Sequence, residues 1–148
     1  MRLLACLFFL VCSCCLQADT MDHYMNISNN IPQMEMKADP QAQAWARSAR
    51  NVLIIANESI AETLIQANEA AKSHGRALFC LPPGTTLNAI TLNGIILQTY
   101  REISSQQSDK DKMTVSQVAW LGVTKNYPCP AQTAHDNQMQ HMSELLAH

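Results

Sequence analysis

Six cysteines fall into two groups that cannot serve one purpose, and their separation narrows what the chain can fold into. Cys6, Cys12, Cys14 and Cys15 crowd an apolar leader, whereas only Cys80 and Cys129 lie in the body. The first sits in Phe79-Cys80-Leu81-Pro82-Pro83-Gly84 and the second in Tyr127-Pro128-Cys129-Pro130, two contexts that favour turns. In an exported chain this pair meets oxidising conditions, where two thiols become a structural crosslink. The competing reading is two free, buried thiols.

The leader predicts export. Met1-Arg2 supplies one positive charge, residues 3–11 form an apolar run, and small residues follow. The run falls short of the roughly 20 apolar residues needed to span a bilayer, and no other stretch approaches that length, so no transmembrane helix is expected. Cleavage after Ala18 would release a periplasmic or secreted product beginning at residue 19. Val11-Cys12-Ser13-Cys14 offers a second route, a degenerate lipobox that would make Cys14 a lipid anchor to an envelope membrane. The soluble product is preferred, because the box lacks its usual first leucine and the signal would end early.

Loss of residues 1–18 removes one arginine and no acid, leaving nine basic against twelve acidic side chains, a net charge of −3. Nucleic acid is therefore not an expected partner, since it demands a basic face that releases counterions from phosphate. The remaining length suits one domain.

Residues 19–38 read as a polar, extended arm, because Asn26, Ser28, Asn29, Asn30 and Pro32 interrupt any period. Asp39-Pro40 then marks a helix start, with a capping carboxylate and a proline whose missing N–H costs nothing in the first turn. Trp45, Ala49, Val52, Leu53, Ala56, Ile60, Leu64, Ala67 and Ala71 recur at helical steps as far as Ser73, and Gly75 is a suitable stop. Asn57-Glu58-Ser59 leaves open whether this is one helix or two, and Glu58 and Glu62 read as a solvated face. Pro82, Pro83 and Gly84 force a structural turn, after which Thr85 or Thr86 can cap a second helix. Its predicted face carries Leu87, Ile90, Gly94, Leu97 and Arg101, broadened by Leu92, Ile95, Ile96 and Ile103, with Gly94 implying a close crossing. A polar loop spans residues 104–112. Thr114 caps a third helix with Val115, Val118, Ala119 and Val123 inward and Trp120 at its edge, ended by Pro128. No alternating strand is visible. The expectation is an all-α domain of three to four helices over residues 39–130 with one disulfide, followed by a polar tail over 131–148. Antiparallel helices would bring Cys80 and Cys129 together, closing a loop of about 50 residues worth roughly 4 kcal/mol in the chain-entropy model.

The order Cys-Leu-Pro-Pro-Gly-Thr-Thr, amphipathic helix, polar gap, helix, aromatic-Pro-Cys-Pro resembles the Rap/Tai family of immunity proteins, which accompany type VI secretion amidases of Gram-negative bacteria. The likeness rests on residues 79–86 and 127–130, with residues 87–107 and 113–126 similar in helical pattern only. It covers somewhat over a third of the chain. Upstream the chain departs from the family, because residues 51–71 contain neither cysteine nor glycine. The resemblance implies a small periplasmic helical protein, often a homodimer, that binds a peptidoglycan amidase effector and blocks its cleft without cofactor or catalytic group. The elements that could present such a block are the turn at Pro82, Pro83 and Gly84 and the loop carrying Ser105, Gln106, Gln107, Asp109 and Lys110.

Two other chemistries compete. Methionine and histidine gather at both ends, in Met21, His23, Met25, Met34 and Met36 and then in His135, Met139, His141, Met142 and His148. Thioether with imidazole suits Cu(I), so His135, Met139 and Met142 form an alternative metal set; composition of polar tails explains the same residues. A catalytic Cys80 would need a thiolate, a base and an orienting group. The proline-rich surroundings read as a structural turn instead, and the chain is read as a non-enzyme. Intact-mass analysis of the mature protein without reductant is expected to give a chain starting at Asp19 and lacking two hydrogens. Free thiols on Cys80 and Cys129 would overturn the crosslink, and an acylated Cys14 the soluble product.

Overall fold

The computed structural model describes residues 19–103 and 109–130. Among them stand four α-helices and one short 3-10 turn, with no strand, so the fold is all-α. The helices are α1 (Met21–Glu35), α2 (Pro40–Ser73), α3 (Ala89–Glu102) and α4 (Val115–Asn126), with the 3-10 turn Lys110–Lys112 ahead of α4. No described helix is long and apolar enough to cross a membrane.

α1 corrects the expectation of an extended arm over residues 19–38. Its asparagines and Pro32 are poor helix material, yet Met21, Tyr24 and Ile31 turn one face inward and are buried, with Met25, Ile27 and Met34 packed beside them. Tertiary burial outweighs weak local propensity here. The entry of α1 is tied to the entry of α4: Met21 N–H donates to the Met113 carbonyl at 2.8 Å, and Val115 N–H to that of Asp19 at 3.1 Å. This forms an isolated antiparallel bridge between Thr20 and Thr114. α1 is therefore packed into the same core as the helices that follow it.

α2 is a single unbroken helix of 34 residues, about 50 Å long at 1.5 Å per residue. It opens as its sequence requires, with Pro40 in the first turn and the Asp39 carboxylate accepting from Gln41 N–H at 3.0 Å. Gly75, at φ +80°, follows the last turn in the left-handed region that only glycine enters freely. The inward face is rotated from the expected stripe. Ala46, Leu53, Ala61 and Leu64 are buried, whereas Trp45, Val52 and Ala67 are exposed. The reason is that Asn57 and Asn68 lie on the buried face, and a reading guided by apolar residues alone passes over them.

Pro82, Pro83 and Gly84 form the expected turn: Thr85 N–H donates to the Pro82 carbonyl at 3.0 Å, and Gly84 sits at φ +78°. Pro at the second and Gly at the third turn position is the type II signature. The cap of α3 is Asn88, whose side chain accepts from Thr91 N–H at 2.9 Å, rather than Thr85 or Thr86. Glu58 also departs from a purely solvated role, because its carboxylate accepts from Ala89 N–H at 2.8 Å and so holds the start of α3 against α2. The buried face of α3 is Leu92, Ile95, Ile96 and Thr99, while Ile90, Gly94 and Arg101 face outward.

α4 follows its sequence closely. Thr114 and Gln117 form a reciprocal capping box, and Val115, Val118, Ala119 and Val123 are all buried. The close crossing lies here and not at Gly94. A Cβ on Gly122 would collide with Thr99 and Ile95 of α3, whereas one on Gly94 would meet nothing within 4 Å. Cys80 and Cys129 are joined, with Cα atoms 4.8 Å apart, and Cys80 N–H donates to the Tyr127 carbonyl at 2.9 Å beside the crosslink. Two substitutions separate the glycines in urea or thermal denaturation. Gly94→Ala is expected to stabilise by up to about 1 kcal/mol through helix propensity, and Gly122→Ala to destabilise by about 1–3 kcal/mol through overpacking.

Candidate functional site

α1, α2 and the first turn of α3 do not close completely on one another. They leave a groove of about 400 Å³ whose walls are apolar. Ile31 and Pro32 come from α1, Leu53 and Ile54 from α2, and Ile90 from α3. Ile90 is 82 % exposed and Ile54 47 %, so at the mouth one branched aliphatic side chain is nearly uncovered and the other about half covered.

The floor is polar. Asn57, only 2 % exposed, lies beside Asn93, and both line the groove. The buried Tyr24 hydroxyl reaches up from α1 to lie 2.6 Å from Asn93 Oδ1 and 3.0 Å from Asn57 Nδ2. One residue from each of three helices thus meets at one point, and the node fixes their relative register. Burial, the largest influence on Tyr24, pushes its pKa up, so the phenol remains a neutral donor. An unsatisfied group at such a node costs about 1–3 kcal/mol, which ties the groove floor to the stability of the fold. At the rim Arg50 donates to Glu35 at 2.6 Å, so the one cation bordering the groove among the described residues is already neutralised. These groups are equipped to recognise by shape and hydrogen bonding.

The residues singled out from sequence fall elsewhere. The crosslinked turn sits beyond the end of α2, where Asn68 accepts from Leu78 and Phe79 N–H at 2.8 and 3.1 Å. Asn68 lies three helical turns from Asn57, about 16 Å along the axis. Pro82, Pro83, Gly84 and Pro128 are exposed there around Cys80 and Cys129. Asp109 and Lys110 are tied to the body: Asp109 pairs with Lys112 at 3.2 Å, and the Lys110 ammonium lies 4.7 Å from the centre of the Tyr100 ring. Ser105, Gln106 and Gln107 lie outside the described residues, as do Cys14, His135, Met139 and Met142. Of the amino-terminal methionines and histidine, Met21 is fully buried and Met25 and Met34 pack against the core, whereas Met36 is exposed and the exposed His23 ring lies 2.6 Å from the Asp19 carboxylate. Among the described residues no group of three His, Cys, Asp or Glu side chains could hold a metal ion.

No family model, no curated protein and no solved structure matches the chain.

Tyr100 gives the region around Lys110 a pH signature. Its hydroxyl donates to Asp111, and that bond, with smaller help from burial and from the charge of Asp111, raises its pKa from 10.0 to about 12. A raised value in the folded state means that the extra stability is fully present below about pH 10 and lost as pH climbs towards 12. Ultraviolet titration of tyrosine ionisation is expected to show Asp111→Ala returning Tyr100 towards its ordinary range, with the stability gap to the parent closing over the same interval. An unchanged titration would dissociate Tyr100 from Asp111.

Proposed function

We propose that the chain is an exported binding protein of the immunity type, which inhibits a secreted peptidoglycan amidase by occupying its cleft. One observation carries the reading. The two segments on which the Rap/Tai resemblance rests, residues 79–86 and 127–130, are distant in sequence but are joined by the Cys80–Cys129 crosslink and by the bond from Cys80 N–H to the Tyr127 carbonyl. A motif pair that meets in space is a single structural unit.

An inhibitor of this kind works by shape. It needs a rigid body and a few well-packed anchors, since a small number of buried contacts dominate the energy of a protein interface. The crosslink, the capping box of α4 and the Tyr24 node supply rigidity. The exposed Pro82-Pro83-Gly84 turn is stiff because proline fixes φ on two successive residues, so it loses little freedom when held against a partner. It is the element assigned to the block, and the sequence offers the loop carrying residues 105–110 as a second candidate.

The test is capture from the periplasm followed by rescue. The mature chain is expected to retain a cell-wall hydrolase and, when co-expressed, to abolish that enzyme's toxicity. Capture of no hydrolase, together with unchanged killing of sibling cells by a deletion strain, would remove the immunity reading.

A further inference from the structure

α2 turns a second face to solvent, away from the one that carries Ala46, Leu53, Asn57 and Leu64. Trp45, Ser48, Val52, Ile55, Ser59 and Glu62 follow one another at steps of three and four, the spacing of a single helical seam, and all six are exposed. Val52 is 54 % exposed, Ile55 65 % and Trp45 43 %. The two aliphatic side chains stand at the middle of the seam. Ser48 and Ser59 flank them and are small enough to let another helix come close.

α2 carries six charged side chains, and four of them are engaged within the chain. Arg50 pairs with Glu35 and Lys72 with Glu69, while the Glu58 carboxylate accepts from Ala89 N–H. The remaining two are Arg47 and Glu62. The Arg47 guanidinium has no hydrogen-bond or ion-pair partner among the described residues. The Glu62 carboxylate has no cation among them and accepts from the Gln66 side-chain amide at 3.3 Å. Arg47 and Glu62 lie fifteen residues apart, about 22 Å along the axis, so they cannot meet within one chain. Their midpoint falls between Ile54 and Ile55, at the apolar middle of the seam.

We infer that α2 pairs antiparallel with the α2 of a second copy of this chain, about a two-fold axis that crosses the helix between Ile54 and Ile55. One rotation serves both leftover charges twice, since Arg47 of each copy meets Glu62 of the other. Val52 and Ile55 of the two copies close on one another at the axis. This is the self-complementary pattern that an isologous interface requires. A parallel pair would set Arg47 against Arg47 and Glu62 against Glu62, which like-charge repulsion opposes. Exposed ion pairs add little affinity, so the charges fix direction and register while the apolar middle supplies the attraction. A lipid surface would accept Val52 and Ile55 but not the Glu62 carboxylate in the same seam. The same axis lays residues 40–69 of one helix along residues 69–40 of the other, about 45 Å of contact. For a helix about 10–12 Å wide this is on the order of 500 Å² per copy, about 1,000 Å² in all and at the lower bound of specific interfaces. The dimer is therefore one that dissociates on dilution. The inference goes beyond the binding-protein reading and holds whether or not the partner is an amidase.

The experiment is sedimentation velocity of the full mature chain over a wide range of concentrations, where a reversible monomer–dimer equilibrium is expected. Arg47→Glu alone and Glu62→Arg alone should each weaken the dimer roughly tenfold, because each turns two attractive pairs into two repulsive ones. Mixing the two single variants should restore dimers, and so should the double variant, since both bring opposite charges back into register. Ile55→Asp changes a side chain exposed in the monomer, so it should abolish the dimer while circular dichroism shows the helix content unchanged. A chain that stays monomeric at every concentration overturns the inference. A dimer indifferent to Arg47→Glu and Ile55→Asp does the same, as do single variants whose mixture fails to recover. None of these readouts involves toxicity rescue, so the immunity reading stands or falls by its own test.

Discussion

Two asparagines on the buried face of α2, three turns apart, hold the remaining elements in place. Asn57 joins Tyr24 of α1 and Asn93 of α3 at one node. Asn68 accepts from Leu78 and Phe79 N–H and so turns the chain back just after the helix ends. That second anchor seats Phe79 in the core, fully buried, and delivers Cys80 to its partner. Neither asparagine has a tolerant alternative. A rotation of α2 by one residue, about 100°, would withdraw both amides from their partners, leaving buried polar groups unpaired at once. Hydrophobic contacts slide by small increments, whereas these bonds do not. The azimuth of the long helix, and with it the placement of the other helices, is set by polar geometry.

This is also why some features of the fold are legible in the sequence and others are not. Asp39-Pro40, Gly75 and Thr114 act through their own backbone neighbourhoods, so the ends of α2 and the start of α4 can be read locally. The inward valines of α4 are equally plain, because that face is uniformly apolar. The crosslink follows from cysteine placement once the helices flank it. α1 is different in kind. Its helix exists because Met21, Tyr24 and Ile31 find a surface on the rest of the molecule, and nothing within its own residues announces that surface. The stripe on α2 was displaced for the opposite reason, since its centre is polar. Asn57 in a run of apolar residues was the available signal, and it resembles an interruption more than an anchor. Ile90 was expected in the core but stands at a groove, a distinction that depends on where α1 lies.

The crosslink and the groove sit at separate places along α2 and act on different states of the chain. The disulfide closes a long loop and restricts the unfolded ensemble. It contributes nothing directly to the register of α1, which depends on the node, on the bridge between Thr20 and Thr114 and on the pair between Arg50 and Glu35. Reduction therefore acts on overall stability, while a change at the groove acts on α1 and its neighbours. The turn beside the crosslink and the groove beside α1 can be altered independently, because no described bond links them.

Neutrality of the groove bears on how it would discriminate. Charged surfaces select partners partly by steering their approach, and such selection fades with salt. A groove whose bordering Arg50 is already paired with Glu35 has little to steer with. Its selectivity must come from contact. Sites built to hydrogen-bond a group reject analogues lacking it far more strongly than apolar sites reject a missing methylene. The half-buried Asn93 amide, which lines the groove with Ile54 and Ile90, is the polar group that contact there must satisfy.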